Sequence, residues 1–302
     1  MVATGDIMIE KNAKIPTWFG IGGGADRLAR PSSVDDVKRC LEIDPKLRVL
    51  GDGANLLVDD AGVSELVVAF SHPEMQSIRR DDATGLTIAM AGANLPRLII
   101  ETVRLGMGGI EGLGGIPATI GGAVIMNAGG RFGQISDAVA RVHGIDRQGR
   151  EVTLERREIR FGYRQSGLND LIITSVELDL KPGDPTALRE RLKEVMAYKK
   201  DSQPMGEQSA GCAFKNPTLT RPIEGIGEAG ARAGAGMLLD RAGCKGLKIG
   251  GAEISEWHAN FLVTRPGATA RDVIALMELG AQRVLDRFGV TLEREVVIWR
   301  RG

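Results

Sequence analysis

The sequence predicts an α+β fold of two domains, the first over residues 1–182 and a smaller one over residues 183–302. Three observations lead to this prediction. At 302 residues the chain exceeds the roughly 100–200 residues of a typical domain. Patterns typical of strands and of helices follow one another along the whole chain, without an internal repeat. The segment KPGDP at 181–185 ends a predicted strand and precedes a strongly charged helical pattern, which favours a domain boundary there.

Four helices are predicted from residues that can cap them. Each follows a Ser, Asn, Asp or Thr, whose side-chain oxygen can accept a hydrogen bond from the first helical turn. Gly106 and Gly289 suit the left-handed conformation that often ends a helix. The predicted helices and their caps are 34–43 after Ser33, 95–106 after Asn94, 185–200 after Asp184, and 270–289 after Thr269.

Seven strands are predicted from short runs rich in Val, Ile, Leu and aromatic residues. Because these runs alternate with the predicted helices, both kinds of element are mixed in each part of the chain. The predicted strands are RVLG at 48–51, ELVVAF at 65–70, LTIAMA at 86–91, the segment 139–145, LIITSVELDL at 171–180, NFLVT at 260–264 and EVVIW at 295–299.

Composition narrows the class of protein. Lys and Arg together number 39, as do Asp and Glu, so the net charge is zero and nothing favours nucleic acid or an anionic membrane as a partner. The three cysteines form no CxxC and no disulfide framework, and no His, Cys and carboxylate cluster has metal-ligand spacing, so no metal is expected. Residues 1–16 lack the apolar core of a signal peptide and no apolar run could span a bilayer. We therefore expect a cytoplasmic protein that inserts into no membrane, and no protein partner is implied.

Two glycine-rich segments predict a binding site for a dinucleotide-sized cofactor. They are GDGAN at 51–55, which follows a predicted strand, and GGIPATIGGAVIMNAGG at 114–130, which carries three glycine pairs. Glycines leave backbone N–H groups uncovered, and successive N–H groups in a turn form a concave anion site that suits a pyrophosphate. GDGAN alone fits a plain structural turn equally well. Neither segment fits the Rossmann or Walker glycine pattern, which favours a different cofactor-binding fold.

Seven blocks in order along the chain carry a resemblance to one enzyme family, from about residue 12 to the C-terminus. The blocks are TWFGIGGGAD (17–26), LGDGANLLV (50–58), GLGGIPATIGGAVIMNAGG (112–130), FGYRQS (161–166), SAGCAFKNP (209–217), GGAEISEWHANF (250–261) and LEREV (292–296). Together they resemble the UDP-N-acetylenolpyruvoylglucosamine reductase family, flavoenzymes of peptidoglycan precursor synthesis. The chain is similar to the shorter form, because no tyrosine-bearing insertion is evident in its C-terminal half.

The resemblance implies an FAD-binding domain of the vanillyl-alcohol-oxidase type followed by a smaller α+β substrate-binding domain. It also implies non-covalent FAD, with NADPH as co-substrate, and a reaction in which hydride passes through FAD to an enolpyruvyl UDP-sugar. NADPH and the UDP-sugar are then the small-molecule partners. The residues expected to bind FAD lie in the two glycine-rich segments or directly after the first: Gly51, Asp52, Gly53, Ala54, Asn55, Leu56, Gly115, Ile116, Thr119, Gly121, Gly122 and Asn127.

Three residues match the catalytic positions of the family. Arg164 in FGYRQS has a guanidinium that can hold the substrate carboxylate bidentately, although a surface arginine is the plain alternative. Glu295 is the second glutamate of LEREV, where the family usually has proline at Arg294. We expect burial to raise the pKa of the Glu295 carboxyl, so that it can donate a hydrogen bond; a salt bridge to an arginine is the alternative.

Cys212 stands where the family more often has the serine that protonates the substrate α-carbon. A thiol with an ordinary pKa of about 8.5 is mostly protonated at neutral pH and is a stronger acid than a hydroxyl, so Cys212 can fill that role. The alternative is a small buried cysteine that fills space, as we expect for Cys40 and Cys244.

Substrate-binding residues are also implied by the resemblance. Lys215 and Asn216 follow Cys212 in the same block, while Lys245 and His258 are weaker candidates for the uridine diphosphate and the sugar. Two other functions stay open at this stage. One is a flavin oxidase of the same fold that acts on an alcohol or lactone, and the other is a nucleotide-binding module without chemistry.

Overall fold

The computed structural model of the protein describes residues 7–302. Residues 1–6 lie outside the described residues. They belong to the segment 1–16, which was compared above with a signal peptide. The described chain forms two compact units. Unit 1 comprises residues 7–13, Ala25–Asp52 and Ser64–Tyr198, and unit 2 comprises Lys14–Gly24, Gly53–Val63 and Lys199–Gly302.

All four predicted helices are confirmed, with the predicted caps. Ser33, Asn94 and Thr269 each accept a backbone N–H from the third helical residue. Gly289 ends the last helix with a φ of 65°, which glycine adopts without steric cost. Two shorter helices were not predicted, because both have glycine in the first turn and neither carries the long periodic pattern. Within residues 7–302 the α-helices are α1 (Val34–Ile43), α2 (Leu95–Arg104), α3 (Ile120–Ile125), α4 (Pro185–Ser202), α5 (Ala235–Arg241) and α6 (Ala270–Phe288).

All seven predicted strands also form, and the additional strands are mostly short or polar. The strands of the described residues are β1 (Ile9–Ala13), β2 (Ala25–Ala29), β3 (Arg48–Leu50), β4 (Leu56–Val58), β5 (Val63–Ala69), β6 (Ile78–Arg80), β7 (Thr87–Met90), β8 (Met107–Gly108), β9 (Gly129–Gly130), β10 (Gly133–Gln134), β11 (Val139–Ile145), β12 (Glu151–Glu155), β13 (Ile172–Leu178), β14 (Lys181–Pro182), β15 (Lys248–Ile249), β16 (Ala252–Ile254), β17 (Leu262–Thr264) and β18 (Val297–Trp299).

Unit 1 is built on two larger sheets and the helices that cover them. One sheet has the strand order β12-β11-β13-β7-β6 and is antiparallel throughout, and the other has the order β1-β2-β5-β3 with β3 parallel to β5. Side chains of α1 and α2 pack with both sheets into one apolar core, in which Cys40, Leu98 and Val176 are almost fully buried. The burial of Cys40 fits the space-filling role expected of it.

The segment proposed as a domain boundary lies inside unit 1. Its first two residues form β14, which pairs with β8, and the Gly183 N–H donates to the Gly106 carbonyl. The following α4 packs back on the core of unit 1, where Val195 is fully buried. Compact packing of unit 1 therefore continues to Tyr198. The predicted division at residue 182 separates residues that bind the cofactor from residues that bind the substrate. Compact packing does not test that functional division, which stays a prediction.

Unit 2 packs α5 and α6 against the three-stranded antiparallel sheet β15-β16-β17. Leu239, Cys244 and Leu276 lie in its core, each with no exposed surface. Residues 53–63 belong to this unit because they are tied to it by hydrogen bonds. The Asp60 carboxylate accepts the first backbone N–H groups of α6 at 2.7 and 3.1 Å, and β4 pairs in parallel with β18. Across residues 7–302, no helix is long and apolar enough to cross a membrane.

Candidate active site

The first glycine segment connects β3 to β4 in a tight turn. Gly53 has a φ of 66°, and a Cβ atom there would lie 2.2 Å from the Pro16 carbonyl oxygen. The Trp18 N–H donates to the Gly53 carbonyl at 3.1 Å. Residue 53 has to be glycine because its φ is positive and because any side chain would displace the backbone of residues 16–18.

The two glycine segments meet in unit 1. A Cβ atom at Gly51 would lie 2.9 Å from the Thr119 hydroxyl oxygen, so the approach depends on the missing side chain. Thr119 also accepts the Gly122 N–H at 3.3 Å and thereby caps α3. Gly121 packs against Ala91, where an added Cβ would be 3.0 Å from the alanine Cβ. Gly121 therefore serves close packing, whereas the exposed Gly51 and Gly122 add no side chain to the surface beside Thr119, which leaves room there for a ligand.

Asn127 follows α3 in a left-handed conformation, with a φ of 41°. Its side chain is almost fully buried and makes three protein hydrogen bonds. The amide nitrogen donates to the Gly162 carbonyl at 2.8 Å and to Gln134 Oε1 at 3.1 Å, and the amide oxygen accepts the Ser136 N–H at 3.3 Å. The Asn127 side chain therefore joins the second glycine segment to the block that contains Arg164.

Arg164 lies in the turn of a two-residue hairpin. Gly162 and Gln165 exchange backbone hydrogen bonds of 2.9 and 3.3 Å across Tyr163 and Arg164. Arg164 has a φ of 57°, a conformation that favours glycine, and its guanidinium carbon lies 5.1 Å from the Tyr163 ring centroid. The buried Ser166 hydroxyl donates to the Ile125 carbonyl at 2.9 Å. The hairpin is therefore fixed at both ends to the end of α3 and the residues that follow it.

Cys212 begins an extended segment that is paired on both sides within unit 2. On one side Cys212 forms a bridge with Phe261, and the Ala213 N–H donates to the Asn260 carbonyl at 2.7 Å. On the other side the Glu295 N–H donates to the Ala213 carbonyl at 2.8 Å. The structure thus brings the backbones of Cys212 and Glu295, two of the three predicted catalytic residues, onto adjacent chain segments.

Glu295 is also next to a predicted cofactor-binding residue. The Asn55 amide nitrogen donates to the Glu295 carbonyl at 3.0 Å, and the Val297 N–H donates to the Asn55 carbonyl at 3.0 Å. Leu56 then continues into β4 beside Val297 of β18. The predicted sites at 53–56 and at 295 therefore adjoin the small parallel sheet that β4 and β18 form in unit 2.

Three of the four predicted substrate-binding residues gather around α5, a helix that the sequence did not predict. The Asn216 side-chain oxygen accepts the Ala235 N–H at 2.9 Å at the start of α5. Lys245 forms an ion pair of 2.9 Å with Asp240 near its end. A Cβ atom on Gly236 would lie 2.8 Å from the His258 ring, so helix and ring approach closely.

Lys215 lies apart from α5. Its ammonium group pairs with the Glu293 carboxylate at 2.6 Å, and its backbone N–H donates to the Glu293 carbonyl. Since Glu293 precedes Glu295 by two residues, Lys215 belongs to the paired segments around Cys212.

His258 is held in one neutral form. Its Nδ1 accepts the Asn260 N–H at 3.2 Å, so in the neutral ring the proton is on Nε2 and can be donated. Burial lowers the pKa of His258, and the nearby Lys245 ammonium lowers it further, while its own backbone hydrogen bond and Asp240 oppose the shift. A neutral histidine with a defined donor atom is suited to a polar substrate group.

Two features that position the site were missed from the sequence. Asn260 is buried and bonds to both backbone groups of Phe214, and α5 organises three predicted residues. Asn260 lies in a block that carries the resemblance, but it directly precedes an apolar strand, where an asparagine suggests no more than a turn. No group of three or more metal-ligating side chains occurs within residues 7–302.

Comparison with known proteins gives a consistent picture. Residues 25–155 match the family model of an FAD binding domain, and residues 203–299 match that of the C-terminal domain of UDP-N-acetylenolpyruvoylglucosamine reductase. The reductase of Moorella thermoacetica is 39% identical over 95% of this chain and 91% of its own length. The reductase of Desulfosudis oleivorans is 40% identical over 93% of this chain and 91% of its own.

A solved structure agrees with these relatives. The crystal structure of the reductase from Thermus caldophilus matches with a TM-score of 0.81 and 39% identity, over 97% of this chain and all of that one. The predicted fold, an FAD-binding domain followed by a second α+β domain, is confirmed by these matches.

Proposed function

The chain belongs to the UDP-N-acetylenolpyruvoylglucosamine reductase family, and we propose that it reduces the enolpyruvyl ether of UDP-N-acetylglucosamine enolpyruvate to UDP-N-acetylmuramate, with NADPH as the reductant. FAD, when bound, carries the hydride from NADPH to the enolpyruvyl double bond. The observation that carries the proposal is the backbone pairing of the Cys212 and Glu295 segments in unit 2, through the 2.8 Å bond from the Glu295 N–H to the Ala213 carbonyl.

Arg164 is proposed to hold the carboxylate of the enolpyruvyl group. When hydride adds to the β-carbon, negative charge develops on the α-carbon and spreads into this carboxylate, where a fixed guanidinium stabilises it. The anchored hairpin supports this role, because an arginine held at a φ of 57° by surrounding contacts is preorganised. Backbone strain of this kind is concentrated at functional sites in proteins.

Cys212 is proposed to complete the reaction by giving its thiol proton to the α-carbon, after which the thiolate recovers a proton from solvent. Glu295 is proposed to donate a hydrogen bond to the substrate as charge develops. Both residues are half-buried, which limits competing protonation by water while leaving a substrate access. This division of roles needs an acid near the α-carbon, whereas an alcohol oxidase needs a base.

Binding residues are proposed in two sets. FAD is assigned to the glycine segments, where Gly51 approaches Thr119 and the exposed Gly51 and Gly122 carry no side chain that would keep a phosphate away. The UDP-sugar is assigned to Lys215 and to the group around α5, which comprises Asn216, Lys245 and His258. The cations of this set offer charge to the diphosphate, and neutral His258 offers its Nε2 proton.

The proposal is tested by separating the two half-reactions of the Cys212→Ala variant under anaerobic conditions. Loss of flavin absorbance on adding NADPH is expected at the parent rate. Its recovery on adding the enolpyruvyl UDP-sugar is expected to slow by roughly 10²–10⁴-fold, because no acid then protonates the α-carbon. The Cys212→Ser variant is the matched control and should keep part of the second rate.

Two results would contradict the proposal. Normal turnover of Cys212→Ala would remove the thiol from the mechanism. A parent protein whose flavin absorbance recovers with oxygen but never with the enolpyruvyl UDP-sugar would instead be an oxidase of the same fold.

A further inference from the structure

Asn260 uses both ends of its side-chain amide on the backbone of a single residue. Its Oδ1 accepts the Phe214 N–H at 2.9 Å, and its Nδ2 donates to the Phe214 carbonyl at 2.8 Å. Both residues are 2% exposed, so water cannot replace either bond. The amide therefore does what a neighbouring strand would do, and it satisfies two buried backbone groups that would otherwise lack partners.

This contact closes a gap in the pairing around Cys212. On the other flank, the Lys215 N–H donates to the Glu293 carbonyl and the Glu295 N–H donates to the Ala213 carbonyl, each at 2.8 Å. On the Asn260 flank the chain turns at 258–261, where the Phe261 N–H donates to the His258 carbonyl. Because a turning chain cannot present a regular ladder, the asparagine side chain supplies the missing pair of bonds.

We propose that Asn260 is a positioning residue for Cys212: its amide holds the 212–215 segment in the extended form that fixes where the thiol points. The inference rests on the proposed function in one respect, since it is the proposed function that makes the Cys212 thiol a proton donor. Asparagine is required because the site needs one acceptor and one donor at a fixed spacing. An aspartate would accept from Phe214 N but would face the Phe214 carbonyl with a buried negative charge.

The Asn260→Ala variant should slow recovery of flavin absorbance by the enolpyruvyl UDP-sugar by about 10–100-fold, since small misplacements of a reacting group are costly. Reduction by NADPH should stay within about threefold of the parent, because hydride uptake does not use the thiol. Asn260→Asp should show the same split between half-reactions, which covers the case in which the alanine variant folds poorly.

A second measurement needs no substrate and is made on the FAD-loaded protein. Iodoacetamide modifies Cys212, and because Cys40 and Cys244 are 0% exposed the reaction reports on one thiol. In Asn260→Ala the modification rate should rise about tenfold, because the 212–215 segment opens more often.

The matched control is Asp60→Ala, which likewise removes two side-chain bonds to the backbone of unit 2, in this case those accepted from the first two N–H groups of α6. It should lower stability and leave the modification rate of Cys212 unchanged.

Equal loss in both half-reactions, or equal modification rates in the two variants, would overturn the positioning role and leave Asn260 as a general stabiliser of unit 2. If Cys212→Ala turns over normally, the proposed proton donor fails, while the modification rates still decide whether Asn260 positions the thiol.

Discussion

The Arg164 hairpin in unit 1 and the Cys212 segment in unit 2 are held in place by opposite means. Arg164 lies in a left-handed conformation with a φ of 57°, which costs an L-residue roughly 1–2 kcal/mol. The Asn127 side chain, from the residues after α3, and the Ser166 side chain, directly after the hairpin, fix it in place. The Cys212 segment is extended and is paired with neighbouring chain on both sides.

The difference shows two ways to preorganise a reacting group. A strained turn can place a long side chain where regular structure would not, but it persists only while external contacts over-determine it. A paired extended segment carries no such strain and depends on a partner for each of its backbone groups, whether that partner is backbone or a side chain. In both regions a buried asparagine amide makes the decisive contact, Asn127 in one and Asn260 in the other.

The largest effect in this comparison is expected from Asn127→Ala. The change removes three hydrogen bonds. It takes the partner from the N–H of buried Ser136 and one of two donors from the Gly162 carbonyl, which should lower the free energy of unfolding by about 3 kcal/mol. Urea denaturation followed by circular dichroism measures it. Ser166→Ala loses fewer contacts and should cost less. An unchanged midpoint for Asn127→Ala would mean that the hairpin does not depend on this anchor.

A smaller effect should reveal the strain directly. Arg164→Ala and Arg164→Gly both lose the guanidinium, but only glycine adopts a φ of 57° without a Cβ clash. The glycine variant should therefore be more stable than the alanine variant by about 1 kcal/mol in urea denaturation. Equal stability would show that the left-handed turn relaxes once the arginine is gone, and the contrast between the two regions would then weaken.

The smallest effect is expected from a change of pH on stability. It concerns the Cys212 segment, because His258 accepts the N–H of Asn260, and the Asn260 side chain bonds to that segment. Burial lowers the pKa of His258 from 6.5, so the unfolded chain takes up a proton at a higher pH than the folded protein does. Stability should therefore fall as the pH drops below 6.5, and the fall should end below the lowered pKa. Lys245 and Asp240 are the charged groups that face the ring, with opposite effects.

His258→Gln removes this titration and should show a flatter dependence of the unfolding midpoint on pH between pH 5 and pH 8, the range in which histidine ordinarily titrates. Identical slopes for parent and variant would show that the pKa of His258 does not change on folding.

Much of the fold was predictable because its signals are local. The caps Ser33, Asn94 and Thr269 each bond to a backbone group three residues away, and the strands follow short apolar runs. The short helix α5 has few residues and is preceded by Gly234, which has no capping side chain, while Asn216 reaches its first N–H from 19 positions away, so local patterns could not reveal it. The candidate site was predictable as a set of residues in recognisable blocks, while their mutual arrangement was not.

The sequence by itself determined the longer helices, the apolar strands and the family that the blocks resemble, and it supplied the candidate side chains for the chemistry, since each of these depends on residue type and near spacing. Tertiary structure alone decided what holds those side chains in place. Asn127 reaches Gly162 across 35 positions, and Asn260 reaches Phe214 across 46. No local pattern encodes such contacts, because they form only after the chain has packed and has brought each asparagine side chain next to a backbone carbonyl that is distant in the sequence.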